Sequence, residues 1–382
     1  MNRLKEDTAR NVLLALNWRH PKLHLGVATY AKEAGWHLNS SAEYSGRLPM
    51  EWTGNGIITH RGVPSIESYI RNFKQSVVSV VATNLGPCVC DDREETGRIA
   101  ARYFHSRGFR KMLYYCPHIP QENDLRRAGF ESECEALECA AFDLHAPPLS
   151  MTWSKQCEYL SKQLKQADLP IAVFAFEDCL STEILDAALA AGLRVPEDVS
   201  ILGVNNDELL CETQQIPLSS IENNLVKVGY EAASLLDRLM AGGTAPEKPI
   251  MISPEPQIVL RQSTDAYAIT HPGLSKALSF IKNHFTEPIS VPDVARASAM
   301  SESGLRQAFQ QYLKRPPGEE ISRLRMEFAC RLLTETEMKI EEIAESAGFT
   351  ERRNLYAAFQ RAKNITPSQY RKEHLSEPIA SF

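Results

Sequence analysis

Residues 291–313 read VPDVARASAMSESGLRQAFQQYL, and residues 340–362 read IEEIAESAGFTERRNLYAAFQRA. The two runs carry one pattern twice, because Ala295 and Ala344 hold equivalent places and lie 49 residues apart. Small residues at these places let two helices approach each other closely. Each run therefore predicts a short helix, a tight turn and a longer second helix.

The turn and the start of the second helix can be placed in both copies. We predict the turns at Met300 and Gly348, where glycine can adopt the positive φ that a tight turn requires. Ser301 and Thr350 follow as N-cap candidates, because their hydroxyl groups accept hydrogen bonds from the first helical N–H groups. This is the pattern of a helix-turn-helix, whose second helix enters the major groove of DNA.

A single copy of the pattern is also compatible with an ordinary αα-hairpin in an all-helical domain. The repeat favours the DNA-binding interpretation. Between the copies, residues 319–335 place Ile321, Leu324, Phe328 and Leu332 at helical spacing. We predict one long helix there, which would hold both second helices on one face of the DNA, about one turn of the duplex apart.

The exposed faces of the second helices supply candidate DNA contacts. Arg306 lies near the groove-entering end of its helix, which makes it the best candidate for a bidentate hydrogen bond to guanine. Arginine on an arbitrary helix more often belongs to a solvated face, but the helix-turn-helix context favours DNA. The predicted DNA-binding residues are Ser301, Ser303, Arg306, Gln307, Gln310, Thr350, Arg352, Arg353 and Gln360.

The segment 273–372 resembles the DNA-binding domain of the arabinose-operon activator (AraC/XylS-type) family. Asn364 stands where that family usually has glycine, and asparagine is the next-best residue for a left-handed helix C-cap. The resemblance implies that operator DNA and RNA polymerase are partners. The residues that carry it are Ile343-Ala344, Gly348-Phe349, Phe359, Thr366-Pro367 and Tyr370-Arg371.

Length and composition place this domain in a larger protein. A chain of 382 residues fits two or three domains, and 43% hydrophobic with 24% charged residues is typical of globular proteins. Its nine cysteines form no C-x-x-C pair, which argues against a zinc site or a disulfide framework. The apolar stretch near the N-terminus is too short and too interrupted for a signal peptide, so we expect a cytoplasmic protein.

The charge is unevenly divided along the chain. The net charge is −6, but from His271 onward 16 Lys and Arg face 14 Asp and Glu. The C-terminal part therefore carries +2 and the rest −8. A balance of +2 is modest, so DNA affinity must depend on where the arginines lie.

The first 265 residues alternate apolar runs with amphipathic stretches. The runs at 11–18, 55–60, 77–85, 111–116, 171–176 and 199–204 predict strands. Alternation of this kind indicates a parallel sheet covered by helices, whose ligands bind beyond the carboxyl ends of the strands. Polar residues follow the runs at those ends, although Asn and Asp also favour loops and helix caps. They are Asn17-Trp18-Arg19, His60-Arg61, Thr83-Asn84, Glu177-Asp178 and Asn205-Asn206-Asp207.

The segments 192–209, 217–236 and 258–264 resemble the sugar-responsive effector domains of the lactose/galactose repressor family. The resemblance implies an α/β fold of two interleaved lobes, about 10–88 with 225–248 and 91–222 with 251–262. The helix-turn-helix that opens that family is missing here. The fold class we predict is a two-lobed, periplasmic-binding-protein-like effector domain (1–265), a linker (266–272), and an all-α domain with two helix-turn-helix motifs (273–382).

Matched motifs in this family assign roles to individual residues. Arg126 would bind vicinal hydroxyls, Asn205 occupies the place of the family's sugar-binding Asp, and Asn223 that of a hydroxyl-binding Gln. The Asp-to-Asn departure at Asn205 removes a charged acceptor, so the identity of the sugar stays open. Trp18 could stack on a sugar face or fill the core. The predicted ligand-binding residues are Asn17, Trp18, Arg19, Asn84, Arg126, Glu177, Asp178, Asn205 and Asn223.

Three functional classes compete. The first is a homodimeric transcription regulator, an activator of a sugar-utilisation operon controlled by a small sugar such as a pentose. The second is an enzyme, which we disfavour because G-x-S-x-G, P-loop, G-x-G-x-x-G and metal-ligand spacings are missing. The third is a regulator of the same architecture that has lost sugar binding and responds to protein contacts. For the first class we predict neither a cofactor nor a metal.

Overall fold

The computed structural model describes residues 9–16, 20–49, 51–60, 64–71, 73–82, 86–117, 124–148, 150–255, 258–267 and 271–374. The chain divides into two compact units, residues 1–105 with 109–266 and residues 106–108 with 267–382. No helix in these ranges is long and apolar enough to cross a membrane. Each unit is described in turn.

The first unit contains two sheets, and the smaller sheet defines what we call the N lobe. Its four parallel strands lie in the order β2-β1-β3-β4. The strands are β1 (Asn11–Ala15), β2 (His37–Asn39), β3 (Gly56–Thr59) and β4 (Ser76–Ser79). The helices of this lobe are α1 (Pro21–Glu33), α2 (Ser41–Ser45), α3 (Pro64–Ile70) and α9 (Leu225–Met240).

The larger sheet defines the C lobe, with six strands in the order β12-β10-β9-β8-β6-β7. Its strands are β6 (Lys111–Tyr115), β7 (Ala140–Asp143), β8 (Ile171–Ala175), β9 (Val199–Val204), β10 (Ser219–Ile221) and β12 (Ile258–Val259). Neighbouring strands in this sheet are parallel, except that β10 and β12 are antiparallel to each other. Its helices are α4 (Arg93–Ser106), α5 (Leu125–Ala136), α6 (Trp153–Gln166), α7 (Asp178–Ala190) and α8 (Glu208–Glu212).

The chain crosses between the lobes three times, which makes the lobes interleave. The first crossing contains β5 (Val89–Asp91), and the third contains β11 (Ile250–Ile252), which pairs with β5 in parallel. The second crossing is the segment 222–224 between β10 and α9. These three segments together form the hinge region of the unit.

The six apolar runs of the sequence all form strands, as predicted, because β-branched residues buried on both faces favour a covered parallel sheet. The N-lobe core packs strand residues such as Val12 and Ile58 against α1 and α9. These two helices approach closely, since a Cβ placed on Gly26 would lie 1.9 Å from the carbonyl oxygen of Val226. Alanine at Gly26 would therefore push the helices apart.

The second unit is helical. It contains α10 (Pro272–His284), α11 (Val291–Ala297), α12 (Glu302–Leu313), α13 (Pro317–Glu335), α14 (Ile340–Ser346), α15 (Arg352–Lys363) and α16 (Pro367–His374). The long connecting helix is confirmed as α13. Two apolar clusters form on it, one centred on Phe309 with α10 to α12, the other on Phe359 with α14 to α16. Each helix-turn-helix therefore has its own core.

Two details of the motifs differ from the sequence prediction. The positive φ of the first turn belongs to Ala299, at 56°, and not to Met300. The second helix of each motif, α12 or α15, is called its reading helix. The second reading helix, α15, begins at Arg352 with Glu351 as its N-cap residue, so the prediction of Thr350 as the cap was wrong. Gly348 has φ 79° as predicted. Its close approach to the Phe285 carbonyl, 2.7 Å from an added Cβ, leaves no room for a side chain there.

The remaining caps agree with the sequence prediction. The Ser301 side chain accepts a hydrogen bond from the Gly304 N–H, as expected of an N-cap residue. Asn364 ends α15 in the left-handed conformation, and Lys314 ends α12 in the same way. The second helices of the two copies thus end in the same backbone conformation, although the residues differ.

Candidate ligand cleft and DNA-reading surface

A network of buried polar side chains lies where the chain crosses between the lobes. Its centre is Asp91, the last residue of β5, which is 6% exposed. The Asp91 Oδ2 atom accepts hydrogen bonds from Arg126 Nη2 at 2.8 Å and from Asn223 Nδ2 at 3.0 Å. Asp91 and Asn223 belong to two different crossings, and Arg126 belongs to the C lobe. The network therefore joins the hinge to the C lobe.

Arg126 is buried, with only 3% of its surface exposed. Its guanidinium donates to Asp91 and to the carbonyl oxygen of Phe176, and it lies over the Phe176 ring at 4.3 Å from the ring centre. The Nε atom is buried and has no hydrogen-bond partner among the described residues. A buried donor without a partner costs about 1–3 kcal/mol. An acceptor group of a ligand would remove that cost.

Local packing places Arg126 against Asp91. A Cβ on Gly97 of α4 would lie 2.1 Å from the Arg126 carbonyl oxygen, and one on Gly129 of α5 would lie 2.0 Å from that of Glu94. The two helices thus touch through their backbones. Asp124 caps α5 by accepting from the Arg126 N–H, which fixes the first turn of that helix.

Asp91 stays ionised at neutral pH. Burial alone would raise its pKa, but the guanidinium groups of Arg93 and Arg126 outweigh that effect and lower the pKa to about 2. Arg93 Nε lies 3.4 Å from Asp91 Oδ1. One carboxylate is therefore shared by two guanidinium groups.

Asn205 and Asn223 lie side by side in the same network. Asn205 turns the chain after β9 with φ 93°, a conformation that asparagine tolerates better than most residues. Its Oδ1 atom accepts from Asn223 Nδ2 at 3.3 Å, and Asn223 Oδ1 accepts from Thr96 Oγ1 at 3.0 Å. The structure thus brings together Arg126, Asn205 and Asn223.

Asp178 and Glu177 differ in their surroundings. Asp178 is 2% exposed, and its oxygens accept from Ser220 Oγ at 2.6 Å and from the Asp207 N–H at 2.8 Å. Burial raises the pKa of Asp178 to about 7, although these hydrogen bonds lower it in part. Its visible contacts hold the loop after β9 in place, while ligand contact by Asp178 stays a prediction. Glu177 is the N-cap position of α7 and is less buried.

Two histidines, His20 and His60, interact electrostatically with charged groups of the network. Of the two, the sequence analysis named only His60. Burial lowers the pKa of His20, and the charges of Glu177, Asp91 and Arg126 act on it as well. Burial, Arg93 and His20 lower the pKa of His60 to about 4. His20 directly precedes α1 and His60 directly follows β3, so both histidines belong to the N lobe. Asn17, Trp18, Arg19 and Asn84 lie outside the described residues.

The first reading helix presents a polar face. Ser303, Arg306, Gln307 and Gln310 are exposed, while Leu305 and Phe309 are buried. The Arg306 side chain is 61% exposed, and its Nη2 lies 3.3 Å from Glu302 Oε2. An exposed pair of this kind contributes less than about 1 kcal/mol, so Arg306 can exchange it for a base.

The second reading helix holds its arginines differently. Arg352 lies over the Tyr356 ring at 5.0 Å, donates to the Tyr356 hydroxyl at 2.9 Å and pairs with Glu341 at 2.6 Å. Among the described residues, the ion-pair partner of Arg353 is Glu351, two positions earlier, at 2.6 Å. Arg352 is thus oriented by its neighbours, whereas Arg353 projects into solvent. Gln360 and Thr350 are also exposed.

A two-lobed α/β domain with a polar cleft, followed by two helix-turn-helix motifs, defines a ligand-responsive DNA-binding transcription regulator. Residues 101–264 match the model of a periplasmic binding protein-like domain. Residues 294–373 match that of a helix-turn-helix domain. Both family resemblances seen in the sequence are confirmed.

The chain is similar to xylose operon regulatory proteins. The chain is 24% identical over 364 residues to the one from Escherichia coli K12, covering 91% of this chain and 92% of the other. It is 28% identical over 222 residues to the one from Haemophilus influenzae Rd, covering 58% and 57%. Among solved structures, a xylose-binding transcription activator matches with a TM-score of 0.58, 23% identity, and coverage of 97% and 99%.

A further solved structure is similar over about two thirds of the chain. It is a regulator of the lactose repressor class from Alkaliphilus metalliredigens complexed with D-xylulofuranose. The TM-score is 0.53 at 18% identity, with coverage of 68% and 100%. At this identity the likeness establishes the fold.

Proposed function

We propose that this protein activates transcription of a sugar-utilisation operon and that a small neutral sugar, of the pentose class, controls it from the cleft. The observation that carries the proposal is the buried Arg126, whose Nε atom has no partner among the described residues. Its partner Asp91 also accepts from Asn223, which in turn donates to Asn205. Sugar recognition requires such a planar set of donors together with amide acceptors. The names of the relatives support a pentose.

The direct test is calorimetry of the full chain against a panel of pentoses and hexoses. We expect saturable binding of at least one pentose. A protein that binds selected DNA but none of these sugars would contradict the proposal. That result would favour the alternative regulator that has lost sugar binding and responds to protein contacts.

We propose that Arg306 contacts a base. Of Arg352 and Arg353, one contacts a base and the other a phosphate. Arg306→Ala should flatten the preference at one base pair by about 1–3 kcal/mol. The measurement is a binding series over DNA point variants and salt concentrations, since loss of a phosphate contact instead weakens all sequences and reduces the salt slope by about one.

Arg296 supplies the matched control for this series. It is an exposed arginine on α11, outside the reading helix, and it pairs with Asp293 at 3.4 Å. Arg296→Ala should leave base preference unchanged. If Arg306→Ala also leaves both base preference and salt slope unchanged, the first motif is a structural spacer.

We further propose that the protein is a cytoplasmic homodimer with no enzymatic activity. Two DNA-binding domains joined in one dimer raise DNA affinity through effective concentration when their spacing matches that of the DNA sites. Sedimentation should show a dimer at micromolar concentration. A monomer with and without DNA would remove this part of the proposal. The domain limits that we propose are 1–265, 266–272 and 273–382, and RNA polymerase is the proposed partner on DNA.

A further inference from the structure

Asp91 is not among the ligand-binding residues that the family resemblance implied, but it contacts two of them. It accepts from Arg126 and Asn223 through one oxygen and lies against Arg93 with the other. Two of these three partners, Arg126 and Asn223, are predicted sugar contacts. Asp91 itself is the last residue of β5 in the hinge, so it orients both without projecting from a ligand-binding loop.

The Asp91 charge is also the nearest countercharge for Arg126. A ligand acceptor that reaches the guanidinium of Arg126 comes within about 5 Å of the Asp91 carboxylate, at which distance like charges repel strongly in a partly buried site. A hydroxyl is not repelled in this way. A carboxylate or phosphate of a ligand would meet Asp91 as a like charge beside an arginine whose charge Asp91 already offsets in part.

The other acidic groups near the network also disfavour an anionic ligand, or they are already paired. Glu177, Asp91 and Asp207 all influence His20 and add negative potential to the cleft. Glu222 pairs with Lys22 and also accepts from Asn206. Among the described residues that contact the network, Arg93 and Arg126 are the cations, and both contact Asp91.

We infer that Asp91 is a positioning and specificity-determining residue that makes the cleft select neutral sugars over sugar acids. The inference rests on the proposed function, because it concerns the ligand of the same site. Asp91 orients Arg126 and Asn223 for hydroxyl groups, and its charge opposes an anionic ligand.

The test compares two probes, an aldopentose that the wild-type chain binds and the aldonic acid of the same sugar, by calorimetry on the full chain. Asp91→Asn keeps the size of the side chain and removes its charge. We expect it to weaken binding of the neutral sugar and to raise the affinity for the acid relative to the sugar by about tenfold or more. A purely structural role would weaken both ligands alike.

Asp143→Asn is the matched control. Asp143 pairs at 2.7 Å with Arg127, the neighbour of Arg126 on α5, and that pair lies outside the network. The control should leave the ratio of the two affinities unchanged. Circular dichroism of each variant verifies that it is folded.

If Asp91→Asn does not fold, Arg93→Gln is the second variant: it keeps Asp91 and removes one cation beside it, so the affinity for the acid relative to the sugar should fall. A rise of that ratio in Arg93→Gln would overturn the inference. So would an unchanged ratio in Asp91→Asn, or a wild-type chain that prefers the acid. A wild-type chain that binds neither probe nor any sugar of the panel would instead overturn the proposed function, and this inference with it.

Discussion

Arg126→Ala should abolish measurable sugar binding and destabilise the first unit. The substitution leaves the Asp91 carboxylate buried without its closest partner, and breaking a buried ion pair from one side costs about 3–5 kcal/mol. It also removes the donors facing the ligand, which costs about 1.5–3 kcal/mol or more of binding free energy for a charged hydrogen bond. Calorimetry gives the affinity, and urea denaturation gives the free energy of unfolding.

Arg127→Ala controls for the loss of an arginine from the same turn of α5. Arg127 is partly exposed and pairs with Glu131 and Asp143. The pair with Glu131 is at the surface and contributes about 0–1 kcal/mol, whereas both side chains of the pair with Asp143 are mostly buried. The variant should therefore lose some stability but bind sugar normally. Normal sugar affinity in Arg126→Ala would refute the assignment of the cleft.

Phe309→Ala should unfold the first helix-turn-helix locally and remove most of the DNA affinity. Phe309 is fully buried in the cluster formed by α10, α11 and α12. Truncating a buried phenylalanine costs about 3–5 kcal/mol because it removes apolar contacts and leaves a cavity. Hydrogen exchange on the full chain should show the opening free energy of α10 to α12 falling by that amount, and α14 and α15 should change less.

Gln311→Ala is the control on the same helix, because Gln311 is exposed and is not a predicted DNA contact. Exposed substitutions usually change stability by about 0.5 kcal/mol or less. Equal losses of protection in both motifs after Phe309→Ala would show that the two clusters open as one cooperative core, contrary to the packing described above.

The sequence predicted those parts of the fold whose signal is local. Six apolar runs became strands, and the apolar spacing of 319–335 became α13, because burial on one or both faces leaves a periodic pattern. The strands that were missed, such as β5 and β11, have three residues each, too few to show alternation. Ala299 was missed as the turn residue because alanine gives no composition signal for positive φ, although its repeat equivalent is Gly348.

The site was predicted in part. Arg126, Asn205 and Asn223 came from matched motifs, and the structure places them in one network. Asp91 could not be inferred from local sequence, since its importance depends on two hinge crossings meeting: Asn223 lies 132 residues away along the chain. A buried carboxylate shared by two arginines is a property of the assembled lobes.

The central claim is that a sugar in the cleft changes how this protein binds DNA. The most direct measurement is the affinity of the full chain for a DNA site selected by the protein itself, determined by fluorescence anisotropy with and without a saturating pentose. The account predicts that the sugar changes the DNA affinity of the wild-type chain and leaves that of Arg126→Ala unchanged. Equal DNA affinity of the wild-type chain with and without every sugar that it binds would contradict the account.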